Sequence, residues 1–200
     1  MIEANENFEI VERQQPKKFG VIVADPPWSF SDKLKYTGEV KRAADHFYPT
    51  LNLAEIKKLP IGELAEENCI LALWVPSAFL QAGMDVMSAW GFQYKQLWIW
   101  GKTSKKNPLN LAFGMGRLAR NCHEPLLVGV KGKYTKFLQD RSQRNLFMHP
   151  TMKHSQKPES IQTSLDKMLI PKDIYVYKDR QTQPGNEYLY VIKARDINGN

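Results

Sequence analysis

Four short apolar runs set the plan of the chain, and each ends where a sheet cannot continue. Phe19-Gly20-Val21-Ile22-Val23-Ala24 runs into Asp25-Pro26-Pro27-Trp28. Cys69 to Val75 is stopped by Pro76, Gln93 to Trp100 forms a third run, and Glu124 to Val130 a fourth, with Lys131-Gly132-Lys133 as its exit. Runs of this length, rich in β-branched residues, read as strands buried on both faces. Between them the apolar period changes to that of a helix. Asn52 to Leu59 forms one, with Asn52 as N-cap and Glu55 completing a capping box. Ser77 caps a second, whose Leu80, Met84, Met87 and Gly91 follow helical spacing and whose end is Trp90-Gly91; both methionines belong to the core. Pro158, at a first helical position, opens a third with Ile161, Leu165, Met168 and Leu169 on its apolar face and Pro171 as its stop. Asp173 to Tyr177 and Tyr188 to Ile192 close the list of strands, with a turn from Gln181 to Asn186 between them. Strands alternating with helices predict an α/β domain, a mostly parallel sheet with helices on both faces.

Two hundred residues with 42% hydrophobic content suit a single domain with a three-layer core. Residues 1–18 read as a loose arm; its acidic, polar start is unlike an export signal. No apolar run is long enough to span a bilayer. Two cysteines, Cys69 and Cys122, make no structural zinc site by themselves and read as free thiols of a soluble cytoplasmic protein. Residues 29–47 are polar and include Gly38, a loop whose length and position suggest a lid.

Charge changes the picture. The net charge is +7, and residues 101–157 hold twelve lysines and arginines against two acids, Glu124 and Asp140. Such segregation suits a phosphate backbone better than plain solubility. Two basic loops carry it. The first, residues 101–123, is glycine-rich around Gly114 and Gly116 and reads as a flexible substrate loop, with Lys102, Arg117 and Arg120 as nucleic-acid contacts. The second, residues 132–157, adds Arg141 and Arg144, interleaved with Tyr134, Phe137 and Phe147, which either stack on bases or anchor the loop to the body.

The chemistry concentrates at Asp25-Pro26-Pro27-Trp28. Neither proline donates a hydrogen bond, so the ladder stops and leaves a rigid loop rich in acceptors at the carboxyl end of a strand, where open α/β sheets hold ligands. The exocyclic amine of a nucleobase is a poor nucleophile because its lone pair is delocalised. The Asp25 carboxylate and the Pro26 carbonyl could hold its two hydrogens while Trp28 stacks on the ring. That chemistry serves an adenine or a cytosine amine alike. Further on, Ser155, Lys157 and the free N–H groups of the helix opened by Pro158 suit a carboxylate.

These residues resemble, in order, the mRNA-adenosine methyltransferase family named after its seventy-kilodalton subunit, which also has DNA-modifying bacterial and phage members. The match comprises Ala24-Asp25-Pro26-Pro27-Trp28, Tyr48-Pro49-Thr50, Leu73-Trp74-Val75, Trp90-Gly91-Phe92, Trp98, His123-Glu124, Leu127 to Gly132, and His154-Ser155 with Lys157-Pro158. The resemblance implies a Rossmann-like class I methyltransferase fold, circularly permuted so that the catalytic strand comes first. It implies S-adenosylmethionine as donor and the N(6) amine of adenine as acceptor, DNA in preference to RNA. It places Asp25, Pro26, Pro27 and Trp28 on the base, with Asp25, Ser155, Lys157 and Pro158 at the cofactor and Tyr48 lining the pocket.

The C-terminal part departs from the family. Phe-Ala-Arg, a tryptophan-containing stretch and Gly-Asn-Glu are usual; here Tyr177-Lys178-Asp179-Arg180 precedes Gly185-Asn186-Glu187 with a short spacer and no tryptophan. Spacing from Lys157 favours this register, in which the resemblance puts Arg180, Asn186 and Glu187 at the cofactor; a second register would use Lys193-Ala194-Arg195. The alternative to an enzyme is a catalytically silent nucleic-acid-binding subunit, and either reading allows a homodimer or heterodimer.

Overall fold

A computed structural model describes residues 18–29, 50–116, 118–152, 156–169 and 192–195, the last four by their backbone. Its sheet has six strands: β1 (Phe19–Ala24), β2 (Ala65–Trp74), β3 (Gln93–Thr103), β4 (His123–Lys131), β5 (Leu146–Pro150) and β6 (Ile192–Arg195). Their order is β5-β3-β4-β2-β1-β6. The helices are α1 (Leu53–Lys57), α2 (Ile61–Leu64), α3 (Leu80–Ala89) and α4 (Glu159–Met168).

The sheet is mixed where a mostly parallel one was expected. β1–β2 and β3–β5 pair in parallel, while β4 runs antiparallel to both β2 and β3, and β6 antiparallel to β1. Periodicity reports burial and is silent on direction, which is why β4 looked like its neighbours. Strands β2, β3 and β4 are longer than their apolar runs, and α2 and β5 went unread. β5 hides in the second basic loop because it is an edge strand, with Leu146 and Met148 more than half exposed.

Alternation along the strands sorts the core into two layers. Ile22, Ala24, Leu71, Leu73 and Leu127 face α1, α2 and α3 through Ile56, Ile61, Val86 and Met87. Val21, Val23, Ile70, Ala72, Trp74, Leu126 and Val128 face α4 through Ile161 and Leu165. Helices therefore cover both faces, as the pattern predicted. The contact of α3 with the sheet is close: a Cβ on Gly83 would lie 2.6 Å from the Val75 side chain, and one on Gly129 would meet Met87.

Helix ends follow the sequence at some points. Asn52 caps α1, accepting from the Glu55 N–H at 3.0 Å while its own N–H donates to the Glu55 carboxylate at 2.7 Å. Gly91 takes φ +83° beyond the end of α3, a conformation that costs glycine little. Ser77 does not cap α3. A 3-10 turn over Ser77–Phe79 precedes that helix, and the Ser77 hydroxyl accepts from the Asn121 amide instead. Pro158 is the N-cap of α4, one position earlier than expected. Most of the arm, Tyr48 and most of the expected lid lie outside the described residues, as do Asp173 to Tyr177. The expected last strand lies mainly there too, with β6 beginning at Ile192.

Candidate active site

Strand directions decide what can meet. With β1, β2, β3 and β5 running one way and β4 the other, one rim of the sheet collects the carboxyl ends of four strands and the amino end of β4. The register confirms it, pairing Trp74 with Leu126 and Trp100 with Glu124. Asp25 follows β1 onto this rim. Lys157 reaches the same place from the residue before the Pro158 cap.

There the four charged side chains form a chain. Lys157 Nζ lies 3.0 Å from Asp25 Oδ2 and 2.7 Å from Glu124 Oε1, and Lys102 Nζ lies 2.8 Å from Glu124 Oε2. Two indoles floor it: Lys157 stands 5.4 Å from the centre of the Trp74 ring, Lys102 4.7 Å from that of Trp100, and the rings meet edge to face. Cations over indole faces gain from the ring quadrupole. Burial by itself would depress the Lys157 pKa, but the Asp25 and Glu124 carboxylates outweigh it and hold the ammonium above its ordinary range. Burial likewise pushes the Glu124 carboxyl up, and Lys157 and Lys102 together more than reverse that, leaving it lowered. Glu124 and Lys157 thus carry charge at neutral pH, in a site where opposed charges interact strongly.

The Asp-Pro-Pro-Trp loop is fixed by its own backbone. The Pro26 carbonyl accepts from the Trp28 N–H at 3.0 Å, and the Pro27 carbonyl from the Leu51 N–H at 2.8 Å. Trp28 and Leu51 form a β-bridge, so the ends of the expected lid meet beside Asp25. Trp28 itself corrects the expectation of an open stacking face. It is 5% exposed, its Nε1 donates to the Trp74 carbonyl at 3.1 Å, and it packs near Phe79. An indole beside a buried strand end finds more apolar surface inward than outward, so Trp28 anchors the loop.

The other expected site residues divide. Lys102 turns inward rather than outward to a phosphate, its ammonium 2.8 Å from the Glu124 carboxylate. Arg120 is exposed, 4.4 Å from the Phe113 ring centre. Arg141 and Arg144 are exposed as well, with Arg144 donating to the Ser142 carbonyl. Arg144 stands two residues before Leu146, which pairs with Ile99, on the side of the sheet away from β1. Antiparallel β4 releases the second basic loop at the opposite end of the sheet, and that loop returns only through β5. Tyr134 and Phe147 anchor it to the body against the α4-side core, Phe147 with its ring 5.5 Å from Trp98. Arg117, Ser155, Arg180, Asn186 and Glu187 lie outside the described residues. The resemblance includes Glu124 only as part of His123-Glu124, with no role attached to it. Its signal was a lone acid at the head of an apolar strand, flanked by basic residues.

A profile of the MT-A70 family matches residues 19–178, most of the chain. The chain belongs to the MT-A70 family. The fold is accordingly that of the Rossmann-like methyltransferases, built on a mixed sheet. Similar proteins include the type II methyltransferase M.MunI of Mycoplasma sp, 28% identical over 82% of this chain and 73% of that one. The N(6)-adenosine-methyltransferase catalytic subunit METTL3 of Homo sapiens is 27% identical over 76% of this chain but only 24% of its own length. An MT-A70-like N(6)-adenosine-methyltransferase of Medicago truncatula, described as putative, is 25% identical over 76% of the chain and 22% of itself. The chain thus spans about a quarter of the length of these plant and animal members. In MT-A70 terms the four charges join three matched segments: Asp25 from the first, Glu124 from the middle and Lys157 from the last.

Proposed function

We propose that this MT-A70 chain transfers a methyl group from S-adenosylmethionine to the N(6) amine of adenine, in DNA rather than RNA. The observation that carries the reading is the Asp25–Lys157–Glu124 cluster, which brings distant matched segments to one rim. The preference for DNA rests on M.MunI, the similar protein that this chain covers over most of its length.

The donor set fits the cofactor. S-adenosylmethionine, when bound, supplies a methyl group on a positively charged sulfur and carries an amine and a carboxylate as well. A carboxylate, an ammonium and a helix N-terminus stand together here in Asp25, Lys157 and the start of α4. Ser155, Pro158, Arg180, Asn186 and Glu187 complete the proposed set. Asp25 accepts one hydrogen of the adenine amine and the Pro26 carbonyl, through its second lone pair, accepts the other. The nitrogen lone pair is thereby turned out of conjugation, and Asp25 takes the surplus proton once the nitrogen is substituted. Lys157 fixes the Asp25 carboxylate so that no reorganisation is needed during the reaction. Tyr48 lines the pocket, and the protein works in the cytoplasm or at the nucleoid, as a homodimer or heterodimer.

The test is mass spectrometry of nucleosides from DNA and RNA incubated with the protein and isotopically labelled donor. Labelled N(6)-methyladenine in DNA, absent with Asp25→Ala, is the expected result. No labelled adenine in either nucleic acid overturns the reading.

A further inference from the structure

The loop between β3 and β4 presents apolar side chains that neither a core nor a solvated turn requires. Leu109 is 92% exposed, Phe113 77% and Leu118 fully, and Leu111 and Met115 are more than half exposed. Single exposed leucines are ordinary; five large apolar residues along one short stretch mark an interaction surface. Beyond Lys102, which is paired with Glu124, the stretch carries Lys105, Lys106, Arg117 and Arg120 and no acid before Glu124.

Its stem is held at both ends. The Ala112 N–H donates to the Lys102 carbonyl at 2.8 Å, and the Lys102 N–H to the Cys122 carbonyl at 2.7 Å. Gly114 and Asn121 form an antiparallel bridge, and the Asn121 amide donates to Ser77. The glycines serve this closeness rather than a phosphate cradle: a Cβ on Gly114 would strike the Asn121 carbonyl, and one on Gly116 the Ala119 carbonyl. Met115 and Leu118 lie in the turn so formed. Leu109 lies in the neighbouring turn, where its N–H donates to the Asn107 side chain. The whole loop leaves and rejoins the sheet at the rim that carries Asp25 and Glu124.

Resting on the proposed methyl transfer to adenine in DNA, we infer that Leu109, Met115 and Leu118 form a wedge that enters the base stack of a duplex and holds the target nucleotide out of it. An adenine inside a duplex cannot present its amine to a carboxylate set on a sheet rim, so it must be extruded. Apolar side chains inserted at a base step partly unstack it in DNA-bending proteins, and the cations of this stretch stand where phosphates would flank such a step. The unbroken positive charge selects a polyanion as the occupant over a protein face.

The full chain carrying Leu109→Ser, Met115→Ser and Leu118→Ser is compared with wild type on fully paired duplexes and on duplexes whose adenines are mismatched. A mismatched base is already easier to unstack. Methyl transfer to paired duplex is expected to fall at least about tenfold, and to mismatched duplex by no more than about twofold. Equal losses on both, or none on paired duplex, overturn the wedge. A second measurement needs no turnover: duplex DNA with 2-aminopurine in place of adenine brightens when that base leaves the stack. Saturating wild type should brighten it and the triple variant should not. If wild type methylates nothing, the proposed activity fails and this signal alone decides the wedge: brightening by wild type only sustains it, and no brightening overturns it. Unchanged brightening with a shift from dimer to monomer on sedimentation gives the loop to a protein partner and overturns the wedge as well.

Discussion

Glu124 holds two ammonium groups at once, so its removal tests how the site is kept charged. Its carboxyl is lowered from an ordinary value of 4.5 and the Lys157 ammonium raised from 10.5. A lowered carboxyl contributes stability above pH 4.5 that is lost as pH falls through the folded value. A raised lysine contributes below pH 10.5 and loses it as pH rises through its own. Glu124→Gln should therefore cost stability across the neutral range, about 2 kcal/mol by urea unfolding, less than for a fully buried pair because both side chains keep some exposure. The gap should narrow below pH 4.5 and again above pH 10.5; a constant gap across pH would mean that the substitution acts through packing. Asp25→Ala is the functional counterpart. Removing a preorganised acceptor costs on the order of 100-fold or more in rate, and turnover near wild type in a steady-state assay would take Asp25 out of the mechanism. Asp25 and Lys157 were legible in the sequence because prolines flank each of them and mark element ends. Glu124 was not, because a charged residue opening a strand looks like a rim residue until the strand's direction is known.

At the scale of elements, local rules predicted those pieces whose signals are local. The capping box at Asn52 and Glu55 needs four residues and nothing else, and it formed as read. Asn52→Ala should lower stability by about 1 kcal/mol, measurable as a shift of the urea midpoint with unchanged slope. No shift would show that packing of Ile56 in the core holds α1 without its cap. Elements defined by distant partners escaped. The 3-10 turn before α3 depends on where Ser77 finds Asn121, and β5 depends on an edge supplied by β3. Trp28 shows the same limit: its loop was placed correctly, but the inward choice of its indole was made by the Trp74 carbonyl.

At the scale of the molecule, strand direction separates two basic regions that one stretch of sequence had joined. Arg120 belongs to the β3–β4 loop that leaves the Asp25 rim, and Arg117 to the same stretch of sequence, whereas Arg141 and Arg144 lie between β4 and the edge strand β5. Phosphate contacts release counterions, so the logarithm of the affinity falls linearly with the logarithm of salt, by nearly one unit for each phosphate neutralised. Replacing Arg117 and Arg120 with glutamine should flatten that slope by about one unit for each phosphate no longer bound. Replacing Arg141 and Arg144 should change it less, since a duplex engaged at the rim meets the β3–β4 loop first and Arg144 is already turned to its own backbone. Lys57 and Lys58, at the end of α1, should matter least. Fluorescence anisotropy across a salt series on a labelled duplex measures all three sets. A larger change from Arg141 and Arg144 than from Arg117 and Arg120 would move the footprint to the connection between β4 and β5.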